Sequence, residues 1–271
     1  RTSLILLGGP TAMPHDVRPD AQASSITSET IEVLHNRVSI RQYSDEPVSE
    51  AQVEAILRAA FRAPTSSNIQ AYSVIVVRDP ATKEKLAELT GNQRHVAECP
   101  VYLQFCADLT RMEAAMKRHG ASLDDNNLEY GLVATIDAAL VGMSAYLVAD
   151  SLGIKGLMIG AVRNKPVEVG KVLGLPHRVY PVFGMCLGWP AIAPKQKPRM
   201  HIGTTIHYER HDNENLEEAL DAYDAELAGH YDSIGKETTR DSWTRDIHEK
   251  FSEPRRDQLR EYLKEMGFDF R

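Results

Sequence analysis

The chain has 271 residues, of which 42 % are hydrophobic and 25 % are charged. These values are ordinary for a globular protein and exclude a disordered chain, a collagen-like fibre and a small disulfide scaffold. The chain has 31 basic and 38 acidic residues, which give a net charge of -7. This balance argues against nucleic acid or an anionic membrane as a partner, because both attract a positive surface.

The length predicts one or two domains with a core that needs no metal or disulfide. Residues 1–28 contain a single short apolar run, residues 4–7, which is too short for a secretory signal or a membrane span. We expect residues 1–28 to be a loosely held leader or an expression-derived segment. Residues 29–271 are then expected to form a single domain.

The three cysteines are an odd number, are widely spaced and lie inside apolar runs. Such cysteines are typical of reduced, buried thiols, so the sequence predicts a cytoplasmic protein. They are Cys99, Cys106 and Cys186.

Helix and strand patterns alternate from Ser28 onward. Ser49 and Gln52 form a capping box, which predicts a first helix over residues 49–63. Short apolar runs bounded by turn residues predict strands, and apolar residues at helical spacing predict helices. The predicted strands cover residues 72–77, 101–107, 156–162 and 179–188. The further helices cover residues 80–91, an apolar stretch that includes residues 131–149 and ends at Gly153, and residues 166–173, 216–227 and 252–266.

The stretch 131–149 is nearly apolar but carries Asp137 near its centre. Small side chains recur along it and allow close backbone approach. The pattern therefore favours a helix buried in the core or at a subunit interface over a membrane span. The small residues are Ala134, Ala138, Gly142 and Ala145.

Common site signatures are absent from the sequence. There is no G-x-G-x-x-G after a strand, no P-loop and no G-x-S-x-G elbow. His207 and His211 have the i, i+4 spacing that could bring them together on a helix face, but no third ligand is apparent nearby. We expect surface histidines there and no metal site.

The segment R-V-S-I-R alternates polar and apolar residues. In an extended chain, Arg37, Ser39 and Arg41 point to one side, and Val38 and Ile40 point to the other. Two guanidinium groups and a hydroxyl can then bind one phosphate. A solvated surface segment is the alternative for these residues.

Two further polar segments can likewise be either binding groups or ordinary surface residues. Lys197 and Arg199 flank Pro198, so they also project from an extended segment. The run A-P-T-S-S-N-I-Q, residues 63–70, offers hydroxyl and amide groups that can bond the edge of a planar heterocycle from a loop. Each alone is also consistent with an ordinary surface segment.

Taken together, the motifs resemble the FMN-dependent nitroreductase superfamily, and most closely its branch of oxygen-insensitive NADPH nitroreductases and NADPH-flavin oxidoreductases. The resemblance covers residues 29 to about 243, in the family's order. The motifs are R-V-S-I-R-Q-Y-S-D-E-P-V-S, A-P-T-S-S-N-I-Q, G-N-Q-R-H-V, G-L-M-I-G-A-V-R-N, F-G-M-C-L-G-W-P and K-P-R.

The resemblance implies an α+β fold whose central sheet is mixed, mostly antiparallel and flanked by helices. It also implies an intertwined homodimer with FMN at the subunit interface and a C-terminal extension that wraps the partner. By the same resemblance, the cofactor-binding residues are Arg37, Val38, Ser39 and Arg41 along the FMN; Lys197 and Arg199 at its phosphate; Thr65, Ser66, Ser67 and Gln93 at the ring or its tail; and the backbone of Met158, Ile159, Gly160 and Ala161 near N5.

The implied chemistry belongs to the flavin. The resemblance implies that hydride passes from NADPH, with NADH as the alternative donor, to N5 and then to nitroaromatics, quinones or free flavin by a ping-pong mechanism. Arg41 is our candidate for the cation near N1 and O2, and no side chain is expected to act as a nucleophile or general acid. Arg163 and Arg240 are the candidates for the NADPH 2′-phosphate; a solvated arginine at a helix start is the alternative for Arg240.

Two other functions stay open at this point. One is a non-catalytic FMN-binding protein, a sensor or storage module. The other is a sibling activity, reductive dehalogenation or flavin destruction, on a related fold.

Overall fold

The computed structural model describes residues 26–123, 128–236 and 242–270. The described residues divide into two compact units. The larger unit contains Glu29–Gln196 together with the chain from Phe251 onward, and the smaller contains residues 26–28 and Lys197–Lys250. That residues 29–271 fold as one domain stays a prediction, and most of the expected leader lies outside the described residues.

A four-stranded sheet forms the centre of the larger unit. Its strands are β1 (Tyr72–Val77), β2 (Val101–Asp108), β3 (Lys155–Ile159) and β4 (Val179–Gly188). The order across the sheet is β1-β2-β4-β3, and each of these pairs is antiparallel. The predicted α+β class and the antiparallel character are confirmed, whereas the parallel pairing implied by a mixed sheet is not present among the described strands.

Ten α-helices occur in the described residues. They are α1 (Glu29–His35), α2 (Glu50–Ala60), α3 (Pro80–Leu89), α4 (Arg94–Glu98), α5 (Thr110–Arg118), α6 (Leu128–Ser151), α7 (Pro166–Leu173), α8 (Leu216–Ser233), α9 (Trp243–Phe251) and α10 (Leu259–Glu265). The capping box at α2 is present, with the Ser49 hydroxyl and the Gln52 side chain each bonded to the other's backbone N–H.

Helix α6 is the central helix of the larger unit and packs against α2 and β2. Its small residues let neighbouring groups approach closely: a Cβ atom on Gly142 would lie 2.3 Å from Cζ of Phe183. By length and composition alone α6 could cross a membrane. Its buried small residues instead place it in the core, as predicted.

Several predicted boundaries were wrong. The first helix ends at Ala60, three residues early, and β3 stops at Ile159, after which a 3-10 turn (Gly160–Asn164) begins. The predicted helix over residues 252–266 starts only at Leu259, because Arg256 has a φ of 56°, outside the right-handed helical region. Helices α1, α4, α5 and α9 were not predicted.

His207 and His211 lie outside the helices and strands, and the three cysteines lie in the core. His207 and His211 do not share a helix, although their rings lie 4.4 Å apart, centroid to centroid. In the described ranges no group of three or more His, Cys, Asp or Glu side chains is arranged to hold a metal. All three cysteines are free and buried, as predicted.

Candidate functional site

The basic segment, residues 37–41, lies outside the helices and strands, and its burial follows the predicted alternation in part, because Val38 is half-buried like its polar neighbours. Ile40 is completely buried, whereas Arg41 is exposed and Arg37 and Ser39 are half-buried. The Ile40 N–H donates to the Gly156 carbonyl over 3.1 Å, which joins the segment to β3. The polar groups of the basic segment therefore lie beside the strand that leads to residues 158–161.

Tyr146 on α6 holds the Arg37 side chain. Nη1 of Arg37 lies 3.2 Å from the Tyr146 hydroxyl and 3.5 Å from the Ser39 hydroxyl, and the guanidinium carbon is 5.6 Å from the Tyr146 ring centroid. Burial raises the pKa of Tyr146, so its hydroxyl stays protonated and donates to the carbonyl of Val38 or Gly156, at 3.1 and 3.2 Å. Sequence reasoning missed Tyr146, whose only signal was a phenol in an apolar helix.

Gln93 contacts His95, and the charge of Arg41 acts on the same imidazole. Oε1 of Gln93 lies 2.9 Å from Nε2 of His95, and Nε2 of Gln93 donates to the Thr90 carbonyl over 2.7 Å. Burial and then the positive charge of Arg41 lower the pKa of His95, so the imidazole is neutral at neutral pH. The structure thus brings Gln93 and Arg41 into one neighbourhood, with His95 as a further residue that sequence reasoning missed.

The polar loop, residues 65–70, follows α2 and leads into β1. Its first part is a 3-10 turn over Ser66–Asn68, and three of its non-glycine residues have positive φ: Ser67, Asn68 and Gln70. Ser66, Ser67, Asn68 and Gln70 are exposed. The loop therefore presents hydroxyl and amide groups to the outside in a conformation that few residues adopt freely.

Asp137 of α6 binds the two ends of the polar loop. Its carboxylate oxygens each accept one backbone N–H, from Ser66 and from Ala71, both over 3.0 Å. Sequence reasoning noted Asp137 only as a charge that disfavours a membrane span. The signal that could have identified its role was the charge itself, because a buried carboxylate must find donors.

Residues 158–161 mark the end of β3 and the start of the 3-10 turn. Met158 is 41 % exposed and Ile159 is buried. A Cβ atom on Gly160 would lie 3.2 Å from Nη2 of Arg163, so glycine keeps this approach open. Exposed Met158 lies two residues beyond Gly156, where the basic segment is attached.

Arg163 belongs to a group of three cations within the larger unit. Its Nη1 donates to the Val182 carbonyl over 2.6 Å, which fixes the side chain. Arg256 bonds Oδ1 of Asn164 over 2.7 Å, and burial followed by the charges of Arg163 and Arg255 lowers the pKa of Arg256. Three cations close enough to affect one another favour an anion nearby.

Lys197 and Arg199 belong to the smaller unit. Both are exposed, and Nζ of Lys197 lies 2.7 Å from the Tyr231 hydroxyl and 4.9 Å from the Tyr231 ring centroid. Their convergence on the same phosphate as the basic segment stays a prediction. Arg240 lies outside the described residues.

Comparisons with known proteins agree with this fold. The nitroreductase family model matches residues 34–93, and the model of the nitroreductase family, C-terminal domain, matches residues 197–271. An oxygen-insensitive NADPH nitroreductase of Salmonella typhimurium is 40 % identical over 245 residues, which cover 89 % of this chain and 98 % of the relative. An FMN reductase (NAD(P)H) of Bacillus subtilis is 36 % identical over 246 residues, with the same two coverages of 89 % and 98 %.

The fold is also that of solved relatives. The structure of NfrA2 from B. megaterium aligns with a TM-score of 0.87 and 34 % identity, covering 90 % of this chain and 100 % of that one. Such identity across almost the whole length of both chains, together with the match of the two family models, shows that the chain belongs to the nitroreductase family.

Proposed function

We propose that the protein is an FMN-containing, NAD(P)H-dependent oxidoreductase that reduces small acceptors. The observation that carries the proposal is the Arg37 guanidinium: among the described residues it bonds two hydroxyls and no carboxylate. A fixed cation without an acidic partner, next to a serine hydroxyl and a second arginine, suits a phosphate monoester. The family relatives are named as NADPH nitroreductase and FMN reductase, which supports the same cofactors here.

The chain's residues fit an FMN molecule by the chemistry of their donors. Arg37 and Ser39 would hold the phosphate, and Arg41 would place positive charge near the pyrimidine edge of the ring, where reduction adds negative charge. When bound, FMN supplies the redox chemistry by accepting a hydride at N5 and passing it on, in ping-pong order. The backbone of residues 158–161 would lie near N5, and Lys197 and Arg199 remain proposed phosphate ligands on the strength of the family resemblance alone.

Flavin-ring contacts are proposed for the polar loop and for Gln93. Thr65, Ser66 and Ser67 would bond the ring or its tail through hydroxyl and backbone groups. The His95 contact fixes the Gln93 amide with its oxygen turned to the imidazole. No side chain in this set is needed as a nucleophile or general acid, so the chain's contribution is binding, orientation and charge.

A homodimer is proposed from the outer face of α6. Four large apolar residues at four-residue spacing stay exposed there and form one stripe. The α6 stripe consists of Leu128, Leu132, Ile136 and Leu140, which are 45, 47, 55 and 39 % exposed. A contiguous apolar stripe on a soluble chain marks a contact with another protein surface, and a two-fold dimer is the commonest assembly.

The same helix suggests that each FMN site is shared. Asp137 and Tyr146 are nine residues apart, which at about 3.6 residues per turn puts them on opposite faces of α6. Asp137 holds the polar loop and Tyr146 holds the basic segment. Ile136 lies on the face between them, so a second copy seated on the α6 stripe brings its own loop toward the basic segment of the first.

For the nucleotide donor we propose Arg163 as a 2′-phosphate ligand, with Arg240 from the C-terminal part of the chain. Arg255 and Arg256 strengthen the positive field around Arg163. This field favours NADPH over NADH, because only NADPH carries the additional phosphate. We propose nitroaromatics, quinones or free flavin as the acceptors, and the free thiols support a cytoplasmic location.

Absorbance under anaerobic conditions tests the proposal. The purified protein, supplied with FMN, should be yellow, and NADPH without oxygen should bleach it within the mixing time. Rates with nitrofurazone, a quinone and free FMN then identify the acceptor class. A yellow protein that NADPH cannot bleach would indicate an FMN-binding sensor or storage module. A colourless protein in excess FMN would exclude both, and loss of halide or breakdown of FMN would indicate the sibling activities.

A further inference from the structure

Asp137 is a charged residue in the most apolar helix of the chain. It lies near the middle of α6, and its side chain is completely buried, with 0 % exposure. Burying an ionised carboxylate is unfavourable unless donors replace its water shell. The two N–H groups that do so here come from Ser66 and Ala71, which are 71 and 66 residues distant in sequence.

The two donors lie at the two ends of the polar loop. Ser66 begins its 3-10 turn, and Ala71 immediately follows its last residue. One carboxylate therefore holds both ends of the loop, because each of its two oxygens accepts a hydrogen bond from one end. A backbone N–H bonded to a buried charge is held more strongly than one bonded to a neutral acceptor.

The loop between these ends is strained. Ser67, Asn68 and Gln70 have φ values of 46°, 57° and 56°, the left-handed region that L-residues with a Cβ disfavour. Within the loop, the Ile69 N–H donates to the Ser66 carbonyl over 2.8 Å, and the Asn68 N–H donates to the Thr65 carbonyl over 3.3 Å. The other internal bonds are made by exposed Gln70 and are long: its N–H lies 3.4 Å from Oγ1 of Thr65, and its Nε2 lies 3.3 Å from the carbonyl and from Oδ1 of Asn68. Such a conformation persists only when its surroundings hold it.

A second anchor acts at the end of the loop. Nη2 of Arg111 donates to the Gln70 carbonyl over 3.1 Å, and Nη1 of Arg111 lies 3.2 Å from the Asp108 carboxylate. Arg111 is on the exposed side, so its bonds compete with water. The buried Asp137 is therefore the stronger of the two anchors.

We propose that Asp137 is a positioning residue for FMN: its carboxylate fixes the polar loop in the strained conformation that presents the hydroxyl and amide groups of the loop to the flavin. The inference rests on the proposed function, because it assigns the loop's ligand to FMN. The inference gives a role to Asp137, which is buried and bonds the backbone of the loop. Loss of either bond releases one loop end and lets the positive-φ residues relax.

A matched pair at position 66 tests the bond from the loop side. Ser66→Pro removes the N–H that Asp137 accepts, and the extended Thr65 (φ -129°, ψ 154°) suits the residue before a proline. Ser66→Ala removes only the hydroxyl and keeps the N–H. We expect Ser66→Pro to raise the Kd for FMN, measured by flavin fluorescence quenching, at least about tenfold above that of Ser66→Ala, or about 1.4 kcal/mol.

A second pair tests the bond from the helix side. Asp137→Asn keeps the shape but turns a donor toward one of the two N–H groups, whereas Val141→Ala makes a cavity one turn further along α6, at another completely buried residue. We expect Asp137→Asn to raise the FMN Kd at least about tenfold and to change the visible circular dichroism of bound FMN. Val141→Ala should lower the Tm with an FMN Kd close to that of the wild type.

The outcomes separate the two proposals. If the wild type takes up no FMN, the proposed function fails. If the wild type binds FMN and both Ser66→Pro and Asp137→Asn match their controls in Kd and dichroism, the positioning role fails and the FMN proposal stands. Should Asp137→Asn not fold, the pair at position 66 decides alone. The inference is also overturned if Val141→Ala and Asp137→Asn have the same Tm and weaken FMN binding equally, because the effect would then be one of general stability.

Discussion

The Arg37 guanidinium is already oriented by groups of the chain itself. Its Nη1 donates to the hydroxyls of Tyr146 and Ser39, and the guanidinium lies over the Tyr146 ring. A cation held in place before its ligand arrives loses less conformational entropy on binding than a free arginine does. This preorganisation makes the basic segment the first place to test for FMN.

Replacing Arg37 and Arg41 together by alanine should release FMN. Arg37 would bond the phosphate and Arg41 the pyrimidine edge of the ring, and hydrogen bonds to charged groups contribute roughly 1.5–3 kcal/mol each, so we expect the FMN Kd to rise at least about a hundredfold and the activity to fall with it. Flavin stoichiometry of the purified protein is the measurement. Lys117→Ala with Arg118→Ala, on exposed α5, is the control for lost charge. Unchanged stoichiometry in the Arg37 and Arg41 variant would contradict the phosphate assignment.

His95 should make the stability of the apoprotein depend on pH. Burial and Arg41 lower its pKa in the folded state, so the unfolded chain binds a proton first as the pH falls below the ordinary histidine value of about 6.5. Stability is therefore lost toward acid. We expect the Tm to fall less between about pH 7.5 and 5.5 in His95→Gln than in the wild type.

The control for the histidine experiment is His119→Gln, at an exposed position just after α5. It removes one imidazole without touching Gln93 or Arg41. If His95→Gln and the wild type lose equal Tm over this pH range, the folded and unfolded states bind the His95 proton equally, and the assigned environment is wrong.

Sequence patterns confined to a short segment predicted several helices and strands correctly. Strands β1 and β4 and helix α7 have the predicted bounds, and the capping box correctly marks the start of α2. In the basic segment, the five-residue alternation correctly predicts that Ile40 is buried, whereas Val38 is only half-buried. The end of β3 was missed because Gly160 turns the chain while the apolar pattern continues to Val162.

The supporting residues could not be predicted in this way. Tyr146 lies 109 residues from Arg37, and Asp137 lies 71 residues from Ser66. Which of the polar groups on α6 meets which loop is decided by tertiary packing, which a periodic pattern does not contain. A buried charge in an apolar helix indicates only that some partner exists.

The α6 stripe should hold two copies of the chain together. Ile136 is 55 % exposed at its centre, and a glutamate there would bury an unpaired charge at the interface. We expect Ile136→Glu to shift the protein from dimer to monomer in sedimentation velocity at micromolar concentration. Met116→Glu, an apolar-to-acidic change on exposed α5, should leave the dimer intact. A dimeric Ile136→Glu would show that the stripe is not the interface.

The shared-site proposal predicts complementation between two defective chains. One chain carries Arg37→Ala with Arg41→Ala. The other carries Ser66→Asp with Ser67→Asp, which places negative charge in the polar loop and repels the flavin phosphate. Each homodimer should lack FMN. If one site takes the basic segment from one protomer and the loop from its partner, the mixed dimer contains one intact site and one site with both defects.

Random pairing on co-expression makes half of the dimers mixed, so about a quarter of all sites should regain FMN and activity. The reverse experiment puts all four changes on one chain and pairs it with the wild type. In a shared site that mixed dimer has no intact site, because every site takes one part from the defective chain. Flavin content of the purified mixed dimer distinguishes the arrangements. Retention of one FMN there, with no recovery in the first experiment, would place both parts of each site on a single protomer.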